Sequence, residues 1–125
     1  MDINMFFKGI IDGDEKPIVI SDINHIIVYM NPAAIRNYEK RGGEALIGKS
    51  LLDCHSSHAQ EIIKNNISKM QADKSINKIF EFHKSHNGAN EDLYCVAIRD
   101  ENDNLIGYYE KFEDKNLYKA EDCSE

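Results

Sequence analysis

The sequence has no tryptophan, only two prolines and only three cysteines in 125 residues. Because Cys54, Cys95 and Cys123 are widely spaced and odd in number, they suit a reducing cytoplasm better than a disulfide framework. No apolar run approaches the ~20 residues of a membrane span. The N-terminus also lacks the basic, then apolar, then small-residue pattern of a signal peptide. We therefore expect a soluble cytoplasmic protein.

Basic residues are scarce as well. The chain has 15 Lys and Arg against 22 Asp and Glu, which gives a formal net charge of −7. The acidic surplus is spread along the chain, whereas a nucleic-acid surface needs a concentrated basic patch. Catalytic motifs are also missing, since Gly42, Gly43 and Gly48 do not form a phosphate loop and no serine nucleophile elbow occurs. We expect neither nucleic-acid binding nor enzymatic activity.

Apolar segments separated by turns are what the sequence does contain, and 42% hydrophobic content is enough for one domain of this length. We predict an amphipathic helix over residues 1–12, a folded domain over 13–114 and a charged flexible tail over 115–125. Within the domain we predict strands over 17–21, 26–31, 78–84, 92–99 and 105–112, a helix over 32–41, and a long helix from about residue 57.

An abrupt change from strand to helix occurs at Asn31-Pro32. The residue before a proline prefers extended backbone, and an asparagine there can accept a hydrogen bond from the first helical turn. Pro32 suits the first helical position, because its missing N–H is not needed there. The pair predicts a helix capped by Asn31.

The order of the elements is two strands, several helices and then three strands. Two strands from one end of the chain and three from the other can close into one antiparallel sheet whose helices cover one face. A small molecule can occupy a concavity between the sheet and the helices.

Three stretches of the sequence resemble the PAS domain family. They are P-I-V-I-S-D-I-N-H-I-I-V-Y-M-N-P-A-A from Pro17, L-I-G-K-S-L from Leu46, and V-A-I-R-D-E-N-D-N-L-I-G-Y-Y-E-K-F from Val96. Asp100 and Gly107 match the spacing of the family's last hairpin, although Asp103 replaces its first glycine. The resemblance implies an α+β fold with a five-stranded antiparallel sheet of order 2-1-5-4-3 and helices on one face.

The resemblance also implies a small-molecule sensor or signal-transducing module. The family's Asp-Ile-Thr linker is replaced by Glu113-Asp114-Lys115-Asn116, and few residues follow. We therefore expect the domain to lack an effector of its own and to act through a partner in trans or through self-association. The N-terminal helix, with Phe6, Phe7 and Ile10, is expected either to form a homodimer interface or to cover the outer sheet face. A ligand-free interaction adaptor, filled by its own side chains, is the alternative.

Candidate ligand-binding residues follow from this layout. Period-two alternation puts Ile79, Glu81 and His83 on one face of their strand, and it leaves open which face of each strand meets the cavity. Polar side chains directed inward would favour a sensor over an adaptor. The candidates are Asn37, Tyr38, Cys54, His58, His83 and Tyr94.

The resemblance and the histidine spacing bear on three possible cofactors, which are flavin, haem and zinc. Light-sensing relatives carry a reactive cysteine at the position of Leu51, so we do not expect a flavin–cysteinyl adduct. Haem-binding relatives carry an axial histidine on the long helix, which makes His58 or His55 the candidate iron ligand. The spacings of His55 with His58 and of His83 with His86 also allow a zinc site, but no C-x-x-C pair accompanies them.

Overall fold

The computed structural model describes residues 1–86 and 88–115. The α-helices are α1 (Ile3–Asp12), α2 (Pro32–Asn37) and α3 (Ser57–Ala72), and three short 3-10 helices cover Glu39–Arg41, Gly43–Leu46 and Leu51–Cys54. The strands are β1 (Val19–Asp22), β2 (Ile27–Met30), β3 (Lys78–His86), β4 (Ala89–Arg99) and β5 (Leu105–Asp114). Within the described ranges, no helix is both long enough and apolar enough to cross a membrane.

The five strands form one antiparallel sheet in the order β2-β1-β5-β4-β3. The predicted fold class and strand order are confirmed. Because β1 pairs with β5, the two ends of the domain meet at the centre of the sheet, and the helices between them lie over one face.

The core lies between that face and the helices. Cys95 of β4 and Tyr108 of β5 are both 1% exposed and pack in one cluster with Met30, while Ile67 and Met70 contribute from α3. The opposite face of the sheet carries exposed apolar residues instead, including Val28 and Phe80. The molecule therefore has one buried and one open sheet face.

Asn31 caps α2 as predicted. Its extended backbone precedes Pro32 at the first helical position, and its side-chain oxygen accepts a hydrogen bond from the Ala34 amide at 2.9 Å. The same oxygen accepts from the Ile18 amide at 2.9 Å, and the side-chain amide donates to the Ile11 carbonyl oxygen at 3.0 Å. One buried side chain thus connects α1, the start of β1 and α2.

Several predicted boundaries are wrong. The helix expected over 32–41 ends at Asn37 and continues as a 3-10 turn. Strand β3 extends to His86 and β4 begins at Ala89, beyond the predicted ends at Lys84 and Asp92. The predicted tail over 115–125 lies outside the described residues except for Lys115.

Candidate functional site

A cavity with two lobes lies between the inner sheet face and the helices. The smaller lobe has a volume of about 140 Å³ and the larger about 240 Å³. Tyr38, His55, Glu110 and Phe112 line both lobes, so the lobes are adjacent. The smaller lobe is completed by Pro17, Val19, Ile27, Met30, Arg41, Leu46, Leu51 and Cys54. The larger lobe is completed by Ala59, Ile62, Ile63, Glu81, Phe82 and Leu93.

A β-bulge in β3 places Phe82 beside Glu81 at the larger lobe. Phe80 pairs with Tyr94, and Phe82 pairs with Leu93, the residue adjacent to Tyr94 in β4. Glu81 is therefore the extra residue in the ladder. A bulge of this kind interrupts the alternation of side chains and redirects one of them. Glu81 and Phe82 consequently both line the cavity, and His83 is directed to the other face.

The Glu81 side chain is half-buried, and one of its carboxyl oxygens is enclosed. One of its oxygens accepts a hydrogen bond from the Asn66 side-chain amide at 3.1 Å, and the other has no hydrogen-bond partner among the described residues. Burial, together with the nearby Glu110 carboxyl group, raises the pKa of Glu81 from 4.5 to about 9. Near neutral pH this carboxyl group therefore holds a proton, because two adjacent carboxylates in an apolar site are costly to ionise.

His55 has a defined tautomer at the wall shared by the two lobes. It follows the last 3-10 helix, and its Nδ1 lies 2.7 Å from the carbonyl oxygen of Leu51. A carbonyl oxygen only accepts, so Nδ1 carries the hydrogen and the neutral ring has its lone pair at Nε2. Gln60 of α3 donates to the His55 carbonyl oxygen at 3.0 Å, which fixes the backbone there.

Tyr38 and Arg41 add two further polar groups to the wall of the smaller lobe. Burial, and secondarily the charge of Glu110, raises the pKa of the Tyr38 phenol. Tyr38 is therefore a neutral hydroxyl at physiological pH, able to donate and accept one hydrogen bond. Glycines at positive φ, Gly42 and Gly43, allow the sharp turn that follows Arg41.

The structure brings two of the six candidate ligand-binding residues to the cavity. Tyr38 lines both lobes, and Cys54 is an exposed residue at the rim of the smaller one. Asn37 and His58 are exposed and line neither lobe.

His83 and Tyr94 lie on the outer face of the sheet, not in the cavity. The Nδ1 atom of His83 is 2.8 Å from an Asp92 carboxylate oxygen. The Tyr94 ring packs edge-to-face against Phe80, with the Lys78 ammonium 4.3 Å from its centre. The bulge explains the placement of His83, because it shifts the alternation after Phe80 by one residue.

Several of the polar residues that line the cavity were not predicted from the sequence to bind a ligand. Glu110 and Arg41 were not named, Glu81 entered only as a member of a strand face, and His55 only as a haem or zinc candidate. The signal available was a lone glutamate between apolar residues in I-F-E-F, which is unusual in a half-buried strand. Among the described residues, no group of three or more His, Cys, Asp or Glu side chains is arranged to hold a metal ion.

Solved structures with the same fold include three that span most of this chain. A C-terminal domain from Streptococcus mutans has a TM-score of 0.72 and 16% identity over 93% of this chain and 87% of that one. A PAS domain from Colwellia psychrerythraea has a TM-score of 0.65 and 20% identity over 94% and 100%. The Aer2 receptor from Vibrio cholerae, described as a dual PAS-haem oxygen sensor, has a TM-score of 0.53 and 21% identity over 80% and 94%.

At these identities the three structures show the fold alone. A comparison with curated proteins found no match. The family profile described as PAS fold matches residues 6–109, which is most of the chain. The chain therefore belongs to the PAS family, whose members are typically sensory or signal-transducing modules.

Proposed function

We propose that this domain is a sensor that binds a small molecule in the two-lobed cavity and passes on its occupancy by association with another chain. The observation that supports this most is the cavity wall. It is largely apolar, and the polar groups of Glu81, Glu110, His55 and Tyr38 converge on it. Apolar walls with a few convergent polar groups are typical of small-molecule sites.

The size of the lobes limits the ligand. An apolar cavity of about 150 Å³ is large enough for benzene, and the lobes here measure about 140 and 240 Å³. A compound of one or two rings therefore fits. A ligand-free adaptor would have an interior filled by its own side chains. The two lobes leave space in the interior of this domain, so that alternative is less well supported.

Haem is the second candidate, and one observation favours it. His55, not His58, lines the cavity, and its Nε2 lone pair is available while Nδ1 donates to a backbone carbonyl, as in many metal-bound histidines. However, haem has four pyrrole rings, whereas the lobes of about 140 and 240 Å³ suit a compound of one or two rings. We therefore favour a smaller ligand.

Helix α1 is the proposed surface for self-association. None of its ten residues is buried, and Phe6, Phe7 and Ile10 are 55%, 55% and 73% exposed. The end of the helix is held to the domain, because the Tyr29 hydroxyl donates a hydrogen bond to Asp12. Contiguous exposed apolar surface on a fixed helix is typical of a protein interface. We propose that a second copy of the chain covers it.

Native mass spectrometry of freshly purified protein tests the proposed ligand site. We expect a bound mass of a few hundred daltons that is absent from an Ala59→Phe variant, in which a ring fills the larger lobe. The control is Ala72→Phe, at an exposed position near the end of the same helix, which should keep the bound mass. A bare wild-type protein that no panel of metabolites stabilises thermally would contradict the proposal in favour of the adaptor.

Light scattering tests the proposed dimer. We expect the double substitution Phe6→Asp and Ile10→Asp to halve the mass of the particle, because it places charge at the centre of the apolar surface. Ile47→Asp, at another exposed apolar position, is the control and should leave the mass unchanged. A monomeric wild-type protein at high concentration would overturn this part of the proposal.

A further inference from the structure

We propose that the ligand of this cavity carries a cationic nitrogen group, such as an amidinium, which binds to the carboxyl groups of Glu81 and Glu110. The inference rests on the proposed function, since it specifies the chemistry of the molecule that the cavity binds. It is argued from the hydrogen-bonding state of Glu81, from the charges that line the larger lobe, and from the shape of the remaining wall.

The first argument is a buried oxygen atom without a hydrogen-bond partner. The Oε2 atom of Glu81 accepts from Asn66, whereas Oε1 is buried without a partner in the part of the chain that the structure describes. Without a ligand, the carboxyl group holds a proton near neutral pH. A cationic ligand in the larger lobe displaces that proton to solvent and donates an N–H group to Oε1 in its place.

The second argument is a charge imbalance. Two carboxyl groups, those of Glu81 and Glu110, line the larger lobe, and no lysine or arginine is among the described residues that line it. Arg41 reaches only the smaller lobe. Two neighbouring carboxyl groups favour a cation between them, because its hydrogen bonds to them are charge-assisted.

The third argument is the apolar remainder of the wall. Phe82 and Phe112 line the larger lobe together with aliphatic side chains of α3, including Ile63. This surface suits a flat apolar body, on which a cation can sit at one end. A small ring with a cationic nitrogen substituent satisfies all three features.

Three compounds of the same size test this inference. Benzamidine is a cation, benzamide is neutral and benzoate is an anion, and all have one ring and one planar substituent. We expect isothermal titration calorimetry at pH 8 to show benzamidine binding at least about tenfold more tightly than benzamide, with benzoate the weakest, because charge-assisted hydrogen bonds exceed neutral ones.

Glu81→Gln locates the effect. The substitution preserves the shape of the side chain, but an amide cannot ionise to a carboxylate when a cation binds, so the advantage of benzamidine over benzamide should fall to about threefold or less. Glu61→Gln makes the same change at an exposed position of α3 and should preserve the full preference. Circular dichroism of both variants checks that they are folded.

The outcomes separate this inference from the proposed function. Equal or tighter binding of benzamide or benzoate overturns the cationic ligand but leaves a small-molecule cavity. An unchanged preference in Glu81→Gln also overturns it, since the cation then binds elsewhere. If none of the three compounds binds, the inference is wrong, and native mass spectrometry decides independently whether the cavity is a ligand site.

Discussion

At the scale of single residues, Asn31 contributes to stability out of proportion to its size. It is 0% exposed, and its side chain accepts two backbone hydrogen bonds and donates to the carbonyl oxygens of Ile11 and Lys16. Each of these backbone groups lies at the end of an element or in a loop. Without the side chain, they would be buried without partners.

Asn31→Asp should therefore destabilise the protein by roughly 3 kcal/mol, because a buried carboxylate would replace the donor and face two carbonyl oxygens. Urea denaturation measures the change. Asn24→Asp, in the exposed turn between β1 and β2, is the control and should be nearly neutral. A loss below about 1 kcal/mol in Asn31→Asp would show that the donor side of this network matters little.

Gly107 is a second residue whose identity the structure explains. It pairs with Asp22 across β1 and β5, and a Cβ atom at this position would lie 2.3 Å from the carbonyl oxygen of Ser21. That oxygen belongs to backbone in the middle of the sheet, so it cannot move aside easily.

We expect Gly107→Ala to cost roughly 3 kcal/mol, as overpacking against fixed backbone does. Gly9→Ala is the matched control, because nothing lies within 4 Å of the added methyl group and alanine favours the helix. Thermal unfolding should show opposite signs for the two variants. Equal stability of Gly107→Ala and wild type would contradict the close approach of β1 and β5.

At the scale of elements, Arg99 of β4 connects the end of α3 to the sheet. Its Nη2 atom donates to the carbonyl oxygens of Met70 at 2.7 Å and Ile76 at 3.0 Å, and its Nε atom donates to the Asn77 side chain at 2.6 Å. The guanidinium thus satisfies the Met70 carbonyl group, which the end of α3 leaves without a partner, and the Ile76 carbonyl group in the segment that follows.

Arg99→Lys keeps the charge but loses the planar arrangement of donors, so we expect a loss of roughly 1–2 kcal/mol. Amides between Asp73 and Asn77 should also exchange hydrogen faster. Arg36→Lys, at an exposed position of α2, is the control and should change neither quantity. Unaltered exchange in Arg99→Lys would mean that packing alone holds the end of α3.

Sequence patterns predicted the elements better than the site. Period-two alternation, the apolar stripe of α3 and the Asn31-Pro32 junction are local signals, and each corresponds to an element of the structure. The bulge at Glu81 is set by the pairing of β3 with β4, which alternation along one strand cannot reveal. His83 was therefore grouped with Glu81, although the two side chains lie on opposite faces.

At the scale of the whole molecule, the Glu81 carboxyl group makes the stability of the fold depend on pH. The folded state holds a proton on Glu81 well above pH 4.5, whereas the unfolded chain releases it near that pH. The stabilising contribution of the protonated form is thus complete below about pH 4.5 and is lost progressively as the pH rises towards about 9.

Glu81→Gln resembles the protonated form at every pH. We expect its free energy of unfolding to match that of wild type near pH 4.5. At pH 8 we expect it to be higher than that of wild type by at least about 1 kcal/mol, because the raised pKa of Glu81 destabilises the folded wild type there. Guanidinium denaturation across this range measures the difference. A constant difference at all pH values, equal to that of the control Glu61→Gln, would exclude Glu81 as the titrating group.

The central claim is that a small molecule binds between the sheet and the helices, and isoleucine methyl NMR tests it most directly. Ile27 lines the smaller lobe and Ile63 the larger, while Ile23 and Ile106 are exposed elsewhere. In a screen of one-ring and two-ring compounds, we predict binders that shift the methyl signals of Ile27 or Ile63 and leave those of Ile23 and Ile106 unchanged. Shifts confined to the exposed methyl groups, or no shift at Ile27 and Ile63 with any compound, would contradict the claim.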